Sequence, residues 1–307
     1  ALARHRHFGR AAESCAISQP ALSMQIREME ETLGATLFER STRQIRLTGF
    51  GEIFAPRVRG ILRSVDELGE LARAMQDRPV GRMRIGIIPT IAPYLLPAII
   101  AELDENFPAL EINVRETLTH RLIEESADGR IDTAIVALPI SETSLTEIPL
   151  FSEEFVLVRP GADKNKPVPN TDRLAEMKLL LLEEGHCFRD QALSFCNMLS
   201  ARPRDGLDGS SLSTLVQMVS AGMGVTLIPE MAVAVETRGT PVSIARFSRS
   251  KPSRTIGMIW RKTTPLTDQL MQIADTVRQS AGTLTAPLSA ILSNERRRQQ
   301  GKHQHEP

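Results

Sequence analysis

The spacing of apolar residues changes along the chain, and each change predicts a different kind of element. Residues 8 to 17, Phe8-Gly9-Arg10-Ala11-Ala12-Glu13-Ser14-Cys15-Ala16-Ile17, read as a short helix ending before Ser18-Gln19-Pro20. Ser18 is a good N-cap and Pro20 is tolerated in a first helical turn, so a second helix is expected from here to about Leu33-Gly34. On it Leu22, Ile26, Met29 and Leu33 share one stripe, while Pro20, Ser23, Met24 and Arg27 fall on the opposite side. Two tightly joined helices, the second with an outward polar face, predict a helix-turn-helix whose second helix enters a major groove, with Ser18 and Gln19 at its leading end. Phe38 to Thr48 alternates as a hairpin wing whose Arg40 and Arg43 are candidates for phosphate contact. From Gly51 to Asp77, Val58, Ile61, Val65, Leu68, Ala72 and Met75 recur by steps of three and four, the seam of a dimeric coiled coil. Pro56 is expected to kink this helix or mark its true start, and Pro79-Val80-Gly81 reads as a linker.

Beyond Arg82 short apolar runs alternate with helical segments. The runs are Met83 to Ile88, Leu110 to Val114, Ile131 to Leu138, Phe155 to Val158, Lys178 to Leu182, Val225 to Ile228 and Thr255 to Trp260. Strands alternating with helices predict parallel α/β sheets. This region divides into two lobes, the first closed by the late strand near Ile256, so the chain crosses between lobes twice. The cleft suits a small ligand held at strand C-terminal ends. The expected domains are 1–50 for DNA binding, 51–80 for dimerisation, 81–290 for the two lobes and 291–307 for a polar tail. Lobe I takes about 81–153 plus 254–290, and lobe II about 154–253.

Charge sharpens the reading of the N-terminal end. The chain of 307 residues has a formal net charge of zero, yet its first 63 residues hold ten Arg against six Glu, with no Lys and no Asp. A basic end is what nucleic acid attracts. The bland alternative for the helical pair is a small protein-interaction bundle. Three cysteines, no apolar run of about 18 residues and no secretory leader point to a reducing cytoplasm. The chain opens at Ala1-Leu2-Ala3-Arg4 without Met, so a missing or trimmed start is expected. There is no Walker loop, GxGxxG, HExxH or CxxC, and no cofactor is expected. His5, His7, His303 and His305 read as solvated, not as a metal site.

The segment Gly185 to Cys196 holds two of the three cysteines. Were Cys187 to Cys196 one α-helix, nine steps of ~1.5 Å would part their Cα atoms by ~13.5 Å. A disulfide tolerates only ~4.4–6.8 Å. The thiols therefore join only if the stretch between them is not helical or ceases to be. The alternative is that both are small buried hydrophobes, as free cysteines often are. Cys15, without a flanking activator, reads as packing or incidental.

The chain resembles the LysR-type transcriptional regulators. The match is carried by His5-Arg6-His7-Phe8, Ala11-Ala12, Ser18-Gln19-Pro20-Ala21-Leu22-Ser23, Leu33-Gly34, Leu37-Phe38-Glu39-Arg40 and Leu47-Thr48. Within that family it resembles the peroxide-sensing OxyR branch, on Gly86-Ile87-Ile88-Pro89-Thr90, Pro93-Tyr94-Leu95-Leu96-Pro97, Thr119-His120, Gly185 to Ala192 with Phe195-Cys196, and Arg254-Thr255-Ile256-Gly257. Met24 and Pro56 depart from the usual pattern.

The resemblance implies an α + α/β chain: an N-terminal winged helix-turn-helix, a long dimerisation helix and a two-lobed, periplasmic-binding-protein-like regulatory domain. It implies that hydrogen peroxide converts Cys187 (peroxidatic) to a sulfenic acid and that Cys196 (resolving) condenses with it. The implied peroxide pocket is Thr90, Thr119, His186, Arg189, Asp190 and Arg254, with Pro89 adjoining. Arg189 and a protonated His186 would favour the thiolate, and the two threonines would hydrogen-bond the peroxide. The implied partners are promoter DNA, a second copy through 51–80, a tetramer, RNA polymerase and a thiol reductant such as glutaredoxin or thioredoxin, with no membrane. The expected function is activation of antioxidant genes, not an enzymatic one. Two alternatives stay open: a metabolite-induced regulator of the same family with passive thiols, and a thiol peroxidase, which leaves the N-terminal 78 residues unexplained.

Overall fold

Capping at Ser18 sets the geometry of the N-terminal end. Its hydroxyl accepts from the Ala21 N–H, and Pro20 sits in the first turn that follows. The structure is a computed structural model describing residues 1–40, 45–196, 208–248 and 251–285. The expected contact of Arg43 and the polar tail lie outside the described residues. The chain divides into two compact units, Ala1–Gly69 and Glu70–Pro307.

The first unit contains α1 (Leu2–His5), α2 (Phe8–Ser14), α3 (Gln19–Leu33), the antiparallel pair β1 (Phe38–Arg40) and β2 (Ile45–Leu47), and most of α4 (Gly49–Ala74). This is a winged helix-turn-helix. Helix α2 stops at Ser14, three residues short of expectation, because Ala16 takes a left-handed conformation at φ 54°. Leu2, Ala11, Ala12 and Leu22 form a small core that Ile26 and Phe38 flank. The apolar stripe of α3 outruns that core: Met29 and Leu33 stand 43% and 38% exposed among the described residues. Glu30 ties those turns to the wing instead, its Oε1 accepting from the Leu37 and Phe38 N–H groups at 2.7 and 3.2 Å.

Pro56 does not mark the start of α4, which begins seven residues earlier. Thr48 provides that start: its hydroxyl donates to the Thr36 carbonyl at 2.7 Å and accepts from the Gly51 N–H at 3.0 Å. A Cβ at Gly51 would lie 2.2 Å from the Leu37 carbonyl oxygen, so the wing passes where only glycine fits. Along α4 the expected seam is open to solvent, with Ile61, Val65, Leu68 and Met75 all exposed and Ile53, Leu62 and Leu71 beside them. So long an apolar stripe is a surface that calls for a partner.

The second unit runs through β3 (Gly81–Ile87), α5 (Ala92–Asn106), β4 (Leu110–Glu116), α6 (Thr119–Ala127), β5 (Thr133–Leu138), β6 (Leu145–Pro160), α7 (Thr171–Glu176), β7 (Leu181–Leu182) and α8 (Cys187–Phe195). It continues with β8 (Asp208–Gly209), α9 (Leu212–Ser220), β9 (Thr226–Pro229), α10 (Val233–Glu236), β10 (Val242–Ala245), β11 (Ser253–Arg261) and α11 (Thr267–Thr285). The main sheet has the order β10-β6-β11-β5-β3-β4, with β9 also on β6. Strand β3 pairs in parallel with β4 and β5, and β7 with β8. Every pairing of β6 and β11 is antiparallel, so the sheet is mixed where a parallel one was expected. The cause is the double crossing: β6 carries the chain from one core to the other and β11 brings it back alongside.

The first core gathers residues such as Ile85, Ile87, Leu95, Ile135, Met258 and Trp260. The second gathers Phe155, Leu157, Leu181, Phe188, Val216 and Leu227. Strand β6 feeds both, with Leu145 and Leu150 in the first and Phe155 to Val158 in the second. Where β11 meets β6 the register slips at Ile256/Gly257, and a Cβ at Gly257 would come within 2.2 Å of Leu138 Cδ1. The far tip of β11 is pinned by a buried ion pair, Arg261 Nη2 to the Glu70 carboxylate at 2.9 Å, with the Thr264 hydroxyl donating to Glu70 at 3.1 Å. Gln269 extends the clamp, donating to the carbonyls of Arg73 and Gln76. Among the described residues no helix is long and apolar enough to cross a membrane.

Candidate functional site: a thiol at each end of one helix

Helix α8 places its two cysteines at opposite ends. Cys187 is its first residue, with His186 as N-cap, and Cys196 is its C-cap. Nine helical steps separate them by ~13.5 Å, beyond the reach of a disulfide. Both thiols are free. Their surroundings differ: Cys187 is half-buried and packs against the first core, whereas Cys196 is 1% exposed inside the second. Burial pushes the Cys196 thiol up to about 11, so at neutral pH it stays protonated. Cys187 sits at the head of a helix, the end where negative charge is favoured.

Beside it lies a cleft of about 450 Å³ lined by Pro89, Thr90, Tyr94, Leu118, His186 and Ser213, among others. The Tyr94 hydroxyl donates to Glu236 Oε1 at 2.6 Å and the Ser213 hydroxyl donates to its other oxygen, tying α5 to α10 across the cleft. Behind Thr90 the Arg254 guanidinium is fully buried. It donates to Thr90 Oγ1 at 2.9 Å, to the Thr90 carbonyl at 3.1 Å and to the Glu153 carboxylate at 2.8 Å. It also lies 5.3 Å from the ring centroid of Phe188, the residue after Cys187.

Two family models cover this architecture. The description "Bacterial regulatory helix-turn-helix protein, lysR family" matches residues 1–52, and "LysR substrate binding domain" matches 76–282. The chain belongs to the LysR family. Among curated relatives it is 42% identical over 282 residues to the Escherichia coli K12 protein named DNA-binding transcriptional dual regulator OxyR, covering 91% of this chain and 92% of that one. It is 41% identical over 283 residues to the hydrogen peroxide-inducible genes activator of Pectobacterium carotovorum, covering 91% and 93%. Among solved structures it is similar to a full-length cysteine-to-aspartate form of Pseudomonas aeruginosa OxyR, with TM-score 0.71 and 35% identity over 90% of this chain and 91% of that chain. A peroxide-bound cysteine-to-serine form of Corynebacterium glutamicum OxyR gives TM-score 0.67 and 32% identity over 96% and 92%.

Within this LysR-family framework the sequence-derived site residues separate. Thr90 and His186 line the cleft and Arg254 backs it. Thr119 opens α6, and its buried hydroxyl finds no hydrogen-bond partner among the described residues. Neither threonine caps a helix, since the N-caps of α5 and α6 are Ile91 and Leu118. Arg189 is engaged by other groups: its Nη1 donates to the Leu182 carbonyl at 2.6 Å and to Asp208 at 2.7 Å. Asp190 is exposed and off the cleft lining. Desolvation lowers the His186 pKa below 6.5 despite the opposing Glu183, so the expected protonated imidazole is mostly neutral at pH 7. Gln191, one helical turn after Cys187, has a buried Oε1 without a partner among the described residues, like the Thr119 hydroxyl. The i,i+4 spacing from the cysteine was the available signal.

In the first unit Ser18, Gln19, Pro20, Met24 and Arg27 are exposed and Ser23 is half-buried, leaving that side of α3 free to approach DNA. Ser18 is also the cap of α3. Arg40 ends β1, and Arg43 lies outside the described residues. Cys15 is exposed, so it does not pack.

Proposed function

We propose that this LysR-family chain is a hydrogen-peroxide-sensing transcriptional activator in which Cys187 is the reacting thiol and Cys196 the resolving one. The observation that carries this reading is the asymmetry of α8, one thiol half-open at the helix head beside a polar cleft and the other buried at its foot. The Cys187 thiolate attacks one peroxide oxygen, the O–O bond breaks and hydroxide leaves, giving the sulfenic acid. The unpartnered Thr119 hydroxyl and Gln191 carbonyl, with Thr90 on the cleft wall, are the polar groups suited to hold peroxide. The Cys196 thiol then displaces water from the sulfenic acid, forming the disulfide. That step requires α8 to unwind, because neither sulfur reaches the other along an intact helix. Closing a ten-residue loop stabilises the rearranged form by about 2–4 kcal/mol, enough to shift a two-state equilibrium more than tenfold.

Promoter DNA meets the outer side of α3, and the open apolar stripe of α4 pairs with a second copy on the way to a tetramer. RNA polymerase, a glutaredoxin- or thioredoxin-like reductant and a cytoplasmic location complete the reading. Peptide mapping without reductant, before and after one equivalent of peroxide, tests it: a Cys187–Cys196 linkage appearing with a changed promoter footprint is expected. An unchanged map rejects it. A metabolite-induced regulator is favoured by one observation, that Cys187 is not among the lining residues of a 450 Å³ cleft far larger than peroxide. A thermal shift by an organic anion with no response to peroxide is the outcome that reading requires.

A further inference from the structure

We infer that Glu153 is a positioning residue for the oxidation of Cys187, acting through Arg254 on the Thr90 hydroxyl. The inference rests on the peroxide-sensing reading above and extends it to a residue outside the cleft. Glu153 lies in β6 directly opposite Arg254 in β11, where the two strands pass between the cores. The side chains of the pair are 1% and 0% exposed, so no solvent screens them. The two carboxylate oxygens are engaged separately. Oε2 accepts from Arg254 Nε at 2.9 Å, and Oε1 accepts from the Met231 N–H at 3.1 Å. Met231 packs against both cores, so Glu153 is held from the far side as well.

A guanidinium held this way has its remaining donors aimed. Nη1 and Nη2 of Arg254 reach Thr90 Oγ1 and the Thr90 carbonyl, while its flat face lies over Phe188. A hydroxyl that accepts from a cation directs its own proton elsewhere and donates it more strongly. Thr90 lines the cleft, so that proton is available to the peroxide oxygen that departs as hydroxide. Without Glu153 the Arg254 charge loses the carboxylate it pairs with in a dry site, and its fork is free to turn away from Thr90. The Glu153 carboxylate touches neither thiol nor peroxide and has no role with an electrophile that needs no proton donor.

The test compares two reactions of Cys187 in the full-length chain: oxidation by hydrogen peroxide and alkylation by iodoacetamide, both timed by mass spectrometry. Glu153→Gln is expected to slow oxidation at least tenfold while alkylation changes less than threefold. In an Arg254→Gln background the same substitution is expected to cost no further rate, because the two residues act in series. Oxidation of Glu153→Gln at the parent rate overturns the assignment. So does an equal loss with both reagents, or an equal loss in both backgrounds. Should Glu153→Gln not fold, Glu153→Asp decides: its shorter arm keeps the charge but cannot span Arg254 and Met231. A threefold or greater loss specific to peroxide supports the role, and the parent rate overturns it. If Cys187 of the unmodified chain resists peroxide altogether, the peroxide reading itself has failed, a result distinct from each of these.

Discussion

The two ends of α8 carry the same functional group in opposite physical states. At the head, Cys187 is half-buried, first in its helix and in touch with the first core. At the foot, Cys196 is sealed in the second core, with its thiol pushed up to about 11. A thiol is a nucleophile only as its thiolate, so the buried Cys196 is withheld until the helix releases it. The difference teaches that reactivity here is assigned by placement on a helix and not by residue type. It also makes the resolving step conditional on a change of shape.

Removing the reactive end has the largest effect. Cys187→Ser is expected to abolish peroxide-dependent disulfide formation and promoter induction while leaving DNA binding intact; a reporter strain and a gel-shift assay check this, and retained induction would break the comparison. Next in size, Thr119→Val removes a buried hydroxyl that has no partner among the described residues. Oxidation of Cys187 is expected to slow by about tenfold while stability stays within ~1 kcal/mol, since an unpaired buried hydroxyl contributes little to folding. Stopped-flow oxidation and urea unfolding read the two separately.

The contrast itself is measured by competitive alkylation at pH 7.5, with Cys187 expected to react at least tenfold faster than Cys196. The gap should close as pH approaches 11. The sign for stability follows: a thiol raised in the folded state supports folding below its unfolded value near 9 and loses that support as pH rises above it. Cys196→Ala should lower unfolding free energy by about 1 kcal/mol through the lost sulfur volume, and leave a persistent sulfenic acid visible by mass. The smallest effect is at His186. Its folded pKa is depressed, so the unfolded chain binds the proton more readily, and stability should decline slightly as pH falls below about 6.5. Loss of that decline in His186→Gln would confirm its source.

Much of the architecture was legible because local rules governed it. The Ser18 cap, the wing and the strands around Ile85, Ile135 and Leu227 follow from capping chemistry and apolar runs. What escaped was non-local. The first half of β6 hides behind Glu147, Pro149, Glu153 and Glu154, which look like loop until their partners on β11 and at the Met231 backbone are known. The antiparallel pairing of β11 depends on which core the chain returns to, and no single segment records that. The partner of Arg189 was also hidden: two residues along a helix turn a side chain by about 200°, and Asp208, on which Arg189 lands, is 19 residues further on. His186 misled because its charge depends on burial that sequence does not display. Glu153 lies far from both cysteines in sequence and became visible only through the register of two strands.

Strand β11 carries the Arg254–Glu153 pair near its start and the Arg261–Glu70 pair at its end. Seven residue steps make it a rod of about 23 Å, stiffened by neighbours on both edges. A rod bolted at both tips does not absorb a push at one tip; it delivers it to the other. One continuously paired strand therefore joins the guanidinium behind the cleft to Glu70, the first residue of the second unit.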